Sequence, residues 1–293
     1  VTDPAPLRAR AEAEAAPLPP LLARAEHLAG TVLLGEHGRR RAGMGDDFWQ
    51  YRPVQPGDAR RDIDWRRSAR SDTEFVRQRE WQIAQSVLIW VDDAAAMRFS
   101  SDAQALPEKA ERARLLALAV AVLLNRAGER VGLSGHDLPP RRGEVQIARL
   151  AQALVQAGDA DYGAPRTAGL LPQGRALFVS DFLGDMAPVR DALTSAADRG
   201  VRGVLLQVLD PAEEAFPYRG RTIFESMGGT LAHETLKASE LRAQYLARLA
   251  ARKDELARLC AVAGWQYHCH HTSDSAQTAL LWLYRAFDAA EAA

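Results

Sequence analysis

Three short stretches of this 293-residue chain carry side chains of the kinds that do chemistry. The first, PGDARRDIDWRRSAR at residues 56–70, sets eight charged side chains around one Ile and one Trp. A solvated loop has no use for the Trp, and a core excludes unpaired ions. The stretch is therefore an ion-pair lattice, a partner-binding surface or a catalytic site. As a catalytic site, Asp58, Asp62 and Asp64 offer carboxylates to a metal for hydrolysis, but the interleaved arginines compete for them. As a lattice, Arg61, Arg66 and Arg70 bridge to Asp58, Asp64 and their neighbours, which fixes geometry more than it adds stability. Ile63 and Trp65 alternate with Asp62 and Asp64 as on a half-buried strand, so the apolar pair would clamp the segment onto the rest of the chain. The lattice is the expected reading.

The second stretch is HCHH at 268–271. On a strand, His268 and His270 face one way, and Cys269 and His271 the other. Two histidines at this spacing can share a metal, but a site needs three or four ligands. The expectation is partly exposed strand-end histidines, with a metal-dependent hydrolase built on His268 and His270 as the alternative. The third stretch is VDDAAAMRF at 91–99, where Asp92 and Asp93 close a run of apolar residues. Other motifs fail. No GxxxxGK[ST] is present, GMG at 43–45 follows no buried strand, and GLSGH at 132–136 has its second Gly one place too early for a hydrolase elbow. GRRRAG at 38–43 reads as a basic hairpin tip or loop.

The elements that must position these residues follow from pattern. SVLIWVD (86–92), RALFVSD (175–181) and VRGVLLQVLD (201–210) are continuous apolar runs ending in Asp, as strands buried on both faces do. Further strands are expected at 130–135 and 265–271, with an added edge strand at 221–226. Helices are expected from the prolines at 19–20 to about residue 29, and at 107–130, 143–158, 187–200, 236–264 and 275–290. Such alternation predicts a mostly parallel sheet with helices on both faces. Ligands of such sheets bind beyond the carboxyl ends of the strands, where Asp92 and Asp181 stand. Three parts are expected: a flexible or helical segment 1–29, a β-rich segment 30–82 packed on the main domain, and an α/β domain 83–293.

Composition narrows the function. The formal net charge of -1 argues against nucleic acid and against a membrane surface. Lys109, Lys237 and Lys253 are the lysines, and the other basic residues are arginine. Cys260 and Cys269 form no disulfide framework, which suggests a reducing compartment. The longest apolar run, Leu115 to Leu124, falls short of the roughly 18 residues of a membrane span. The opening residues show no secretory leader. A cytoplasmic protein is expected.

Two resemblances extend this reading. VDDAAAMRF resembles the end of the first strand in a von Willebrand A-like domain, where Asp-x-Ser-x-Ser holds a divalent ion, usually magnesium. Asp92 occupies the first place, but Ala94 and Ala96 stand where the serines belong. Thr167 and Asp181 are the remaining ligand positions, and Asp93 could offset part of the loss. The resemblance implies a degenerate site: no metal or cofactor expected, or at most weak magnesium. The stretch 33–70 resembles the bacterial domain of unknown function number fifty-eight, through Gly35, His37, Gly43, Gly45, Asp47, Phe48, Arg52, Pro56, Gly57, Asp58, Arg61, Ile63, Asp64, Trp65, Ala69 and Arg70. Val54 and Gln55 fall in its variable part, and Asp47 replaces a common Glu. The resemblance spans roughly residues 30 to 290. It implies a von Willebrand A-like α/β fold with an N-terminal β-rich extension. It also implies a non-enzymatic interaction module or adaptor that partners a MoxR-type AAA+ ATPase. His37, Arg52, Gly57, Asp58, Arg61, Asp64, Trp65 and Arg70 would be the interaction motif.

Overall fold

The structure, a computed structural model, describes residues 18–32, 40–55, 59–60, 63–70, 73–82, 84–225, 229 and 232–292. It contains two compact units, one of residues 36–84 and one of residues 1–35 with 85–293. In chain order the elements begin with α1 (Leu18–Gly30), followed by β1 (Arg40–Pro53), α2 (Trp65–Ser68) and β2 (Phe75–Gln82) of the small unit. The large unit continues with β3 (Ser86–Val91), a 3₁₀ turn (Ala95–Arg98), α3 (Lys109–Arg126), β4 (Arg130–Leu133), β5 (Leu138–Arg141) and α4 (Glu144–Leu154). Then come β6 (Arg175–Ser180), α5 (Ala187–Asp198), β7 (Arg202–Leu209), α6 (Pro211–Ala215), β8 (Thr222–Glu225) and β9 (Ala232–Thr235). The chain ends with α7 (Ala238–Ala263), β10 (Gln266–His271) and α8 (Ala276–Ala292).

The large unit is a mixed α/β body around a six-stranded sheet in the order β10-β7-β6-β3-β4-β5. Every pairing is parallel except β4 with β5. The alternation along each strand explains the continuous apolar runs. Val87, Ile89 and Val91 face one core with Leu177, Val179, Val204 and Leu206, and residues of α1, α3, α4 and α8 cover that face. Leu88, Trp90, Ala176, Phe178 and Leu205 face the other core, against α5 and α7. Because helices cover both faces of the central strands β3, β6 and β7, almost none of their side chains meets water. Leu115 to Leu124 of α3 is buried all round. A helix packed between a sheet and other helices has no solvent stripe, which is why its sequence shows no polar face.

Two edge features depart from the sequence expectation. Thr222–Glu225 is a strand, but it does not extend the sheet; it pairs antiparallel with Ala232–Thr235 as a separate hairpin. The sixth strand is instead β5, whose sequence LPPR conceals it. Proline lacks the ladder N–H and so is confined to an edge, where β5 lies.

The small unit pairs β1 with β2 antiparallel, with irregular register between Gly43 and Gln50. Arg40, Arg41, Ala42 and Gly43 thus belong to a strand rather than to a hairpin tip. The expected half-buried strand through Ile63 and Trp65 is not formed. Ile63 makes a single antiparallel bridge to Val76 and is buried, but Trp65 opens the helical turn α2 and is 55% exposed. Asp64 redirects the chain. Its Oδ1 accepts the Arg67 N–H at 3.0 Å as an N-cap, which a strand residue does not do.

Phe178 is the aromatic centre of the second core, with ring centroids 6.0 Å from Trp90 and 4.8 Å from Trp265. Phe178→Ala is expected to cost about 3–5 kcal/mol. Urea unfolding followed by tryptophan fluorescence measures it, and a loss below about 1 kcal/mol would show that this core is not the one that holds the sheet.

Candidate functional site

Three neighbouring parallel strands, β3, β6 and β7, are each followed directly by an aspartate. Asp92, Asp181 and Asp210 are 2%, 1% and 0% exposed. Buried carboxylates this close must each find a hydrogen-bond donor or a counter-charge, and each finds a different one. Asp92 Oδ1 accepts the Ala94 N–H at 2.9 Å, and its Oδ2 accepts the Ser180 hydroxyl at 2.6 Å. Burial still holds its pKa above the usual carboxylate value, with these two bonds opposing. Asp210 accepts the N–H groups of Ala212 at 2.8 Å and Ser101 at 2.9 Å. It caps α6 in a capping box closed by Glu213.

Asp181 is held by a cation from within the chain. Lys109, the first residue of α3, is 1% exposed. Its Nζ donates to Asp181 Oδ2 at 2.8 Å and to Glu213 Oε1 at 2.6 Å, and lies 5.7 Å from the centre of the Phe99 ring. Burial opposes the ammonium charge, but Asp181 and Glu213 more than offset it and drive the Lys109 pKa above its ordinary value. Burial raises the Glu213 carboxyl, and Lys109 pulls it back in part. Lys109 and Glu213 are the residues that sequence reasoning missed. The available signal was one of three lysines in a chain whose other basic residues are arginine.

These donors do not fit a divalent ion. Both Asp92 oxygens are engaged, Ala94 and Ala96 present methyl groups, and Asp181 is paired with an ammonium. Gly163 lies so close over Asp92 that a Cβ there would stand 2.1 Å from Oδ1. Asp93 is similarly covered by Gly158, whose N–H it binds through its carbonyl at 2.9 Å. Thr167 sits in a turn closed by the Leu170 N–H on its carbonyl. Among the expected positions the structure brings Ala96 and Asp181 to one cavity; Thr167 does not line it.

That cavity, about 670 Å³, opens above Lys109. Phe99, Tyr162, Phe216, Tyr218, Phe224 and Tyr245 wall it, and Asp181, Glu213, Glu225, Lys109 and Arg248 supply its charge. The rings pack on one another: Phe216 lies 5.7 Å from Phe224, 4.9 Å from Tyr245 and 5.2 Å from Tyr218. Phe216 adopts a left-handed backbone, φ 42°, at the end of α6. A bulky residue held there is a local strain of the kind found at binding sites.

The histidine stretch lies on β10 as expected, but His270 is buried rather than partly exposed. Its Nε2 is 2.9 Å from the Arg112 guanidinium. Burial, and then Arg112, hold its pKa down at about 4. His268 stacks on Trp282 at 4.5 Å, and His271 pairs with Glu214. Among the described residues, no group of three or more His, Cys, Asp or Glu is placed to hold a metal ion. In the small unit, His37, Gly57, Asp58, Arg61 and Asp62 lie outside the described residues, and Arg52 is described only as part of β1. Asp64 Oδ2 accepts the Tyr51 hydroxyl at 3.1 Å. Arg67 lies over the Tyr51 ring at 4.4 Å, and with Arg66, Arg70 and Phe75 these residues line a second hollow.

Comparison with known proteins identifies a family. The sequence model of a family described as "Protein of unknown function DUF58" matches residues 50–255. The uncharacterized protein Rv1480 of Mycobacterium tuberculosis is 26% identical over 242 residues, covering 78% of this chain and 75% of its own. Mb1516 of Mycobacterium bovis matches to the same extent. Among solved structures, the conserved hypothetical protein BatB of Bacteroides thetaiotaomicron covers 71% of this chain and 98% of its own, at 16% identity and a TM-score of 0.38. An aerotolerance-related membrane protein of Bacteroides fragilis covers 69% of this chain and 98% of its own, at 16% identity and a TM-score of 0.39. Scores this low carry no argument about fold or function.

Two outcomes are expected from the charges. Lys109→Met leaves Asp181 and Glu213 facing each other without a cation and costs about 3–5 kcal/mol at neutral pH. Glu213, which burial already holds above the ordinary carboxylate value, then loses the cation that pulled it back and takes up a proton more readily folded than unfolded, so the deficit shrinks as pH falls. Chemical denaturation at neutral and acidic pH measures both. His270 has the opposite sign. Its folded pKa of about 4 lies below the ordinary 6.5, so its stability is intact above 6.5 and is lost as pH falls toward 4, by roughly 2–3 kcal/mol. His270→Gln is expected to flatten the stability profile across that window.

Proposed function

The chain belongs to the DUF58 family, whose function is unknown, and from that premise we propose that it is a non-enzymatic protein-interaction module. Its binding face is the carboxyl end of the parallel sheet. One observation carries the reading: the strand-end acids are already engaged by Lys109, by the Ser180 hydroxyl, by backbone N–H groups and by a helix cap, and one of them, Asp181, lines a preformed aromatic cavity. Such a site has the means to hold a group, and its three strand-end acids are each bonded already. We assign the large unit a von Willebrand A-like architecture, supported by the strand–helix alternation and by Asp92 at the end of β3. The site is a degenerate relative of the metal-ion-dependent adhesion site, with Lys109 supplying the positive charge.

The partner we propose is a MoxR-type AAA+ ATPase, for which this chain acts as an adaptor in the cytoplasm. The resemblance of residues 33–70 supports the partner. The free thiols Cys260 and Cys269 support the compartment. No helix among the described residues is long and apolar enough to cross a membrane. The segment of His37, Arg52, Gly57, Asp58, Arg61, Asp64, Trp65 and Arg70 is assigned a supporting role in recognition. The alternative, a metal-dependent hydrolase, would use Asp58, Asp62 and Asp64 or His268 and His270. The contacts of Asp64, His268 and His270 favour it less.

Surface plasmon resonance against a purified MoxR-type ATPase encoded beside this chain, with ATP and with ADP, tests the proposal. Specific binding is expected, weakened about tenfold or more by Tyr245→Ala at the cavity wall. Absence of binding by the folded protein in both nucleotide states would remove the adaptor reading.

A further inference from the structure

The same cavity carries information about what enters it. Its lining sets three carboxylates, Asp181, Glu213 and Glu225, against two cations, Lys109 and Arg248. Lys109 is spent at the floor, because its Nζ already bonds both Asp181 and Glu213. Arg248 and Glu225 are exposed at the rim. Above the floor the walls are aromatic, and the faces of such rings attract cations. Within the lining, the Lys109 ammonium already lies 5.7 Å from the centre of the Phe99 ring.

We infer that the cavity receives a basic side chain, an arginine or lysine presented by an extended segment of the protein partner; this rests on the interaction-module reading above. The polarity is therefore reversed relative to a metal site, where the open coordination position of a divalent cation attracts an acidic group. Here the Lys109 cation is internal and shared by two carboxylates, so an acid reaching the floor meets Asp181 and Glu213, while at the rim one cation, Arg248, stands with one carboxylate, Glu225. An incoming base meets aromatic faces and a surplus carboxylate. A purely apolar side chain would fill the walls but leave the acid-rich end desolvated without compensation. The tyrosines at the walls register the same field. Burial is the largest cause that holds the hydroxyls of Tyr162, Tyr218 and Tyr245 above their ordinary pKa. Carboxylates at Asp181, Asp210 and Glu213 add to the effect, and Lys109 opposes it at Tyr162 and Tyr245. The cavity volume, about 670 Å³, holds a long side chain with part of its backbone.

The test uses the full chain labelled with ¹³C-tyrosine and three nine-residue Gly/Ser peptides with a central Arg, Glu or Leu. Saturable shifts of the Tyr218 and Tyr245 resonances are expected with the arginine peptide and not with the other two. Binding is expected to weaken as salt is raised to about 0.15 M. It should also weaken several-fold in Glu225→Gln and about tenfold in Tyr245→Leu. Unchanged thermal unfolding of the two variants shows that they remain folded. Equal or tighter binding of the glutamate or leucine peptide overturns the inference. So does the absence of saturable binding of the arginine peptide at millimolar concentration, or binding that ignores Tyr245→Leu. If the arginine peptide fails while the ATPase still binds, the polarity is wrong and the adaptor reading stands. If the peptide binds and the ATPase does not, the reverse holds.

Discussion

Parallel strands that end side by side bring their terminal residues together, and here three of those residues are acids. Burying Asp92, Asp181 and Asp210 at the carboxyl end of one sheet sets a constraint that the surrounding chain must satisfy. The solution at Asp181 organises the most structure. Lys109 reaches it from the start of α3, and the same ammonium fixes Glu213 in α6. Glu213 in turn closes the capping box on Asp210. One cation thus ties together α3, the end of β6 and the turn after β7. The placement of Phe216, and with it the aromatic wall, follows from where α6 ends.

The constraint also explains why the fold was legible and the site only partly so. Strands buried on both faces write themselves as continuous apolar runs, so β3, β6 and β7 were readable from composition alone. The two cores that cover them account for the length and amphipathy of the helices. Edge elements were harder. β5 is written in prolines, and the β8–β9 hairpin differs from an added sheet strand only in which partner it finds. Trp65 illustrates a different limit. Alternation of Ile63 and Trp65 with aspartates has the period of a strand, yet a carboxylate at Asp64 can cap a helical turn, and local capping won.

At the site, sequence located Asp92 and Asp181 because strand-end acids are visible. The absence of the two hydroxyls at Ala94 and Ala96 was visible too. What sequence could not supply is long-range. Lys109 and Asp181 are 72 positions apart, and Lys109 and Glu213 are 104 apart. The Ser180 hydroxyl that satisfies Asp92 belongs to a different strand from the motif it completes. The aromatic cavity is likewise assembled from segments between Ala96 and Arg248 that share no local pattern. Periodicity reports which face of an element is buried; it carries no record of which charges meet across the fold.

A counter-ion that belongs to the polypeptide behaves differently from one drawn from solution. A bound divalent ion follows mass action, so its occupancy changes with the free concentration and with competing chelators. The Lys109 ammonium is tethered and cannot dissociate, and its raised pKa keeps it protonated across the physiological range. The carboxyl end of the sheet therefore carries a fixed charge whatever the surrounding magnesium or calcium. The charge at this position is thus set by the covalent chain, and a change in the free concentration of such an ion leaves it as it is.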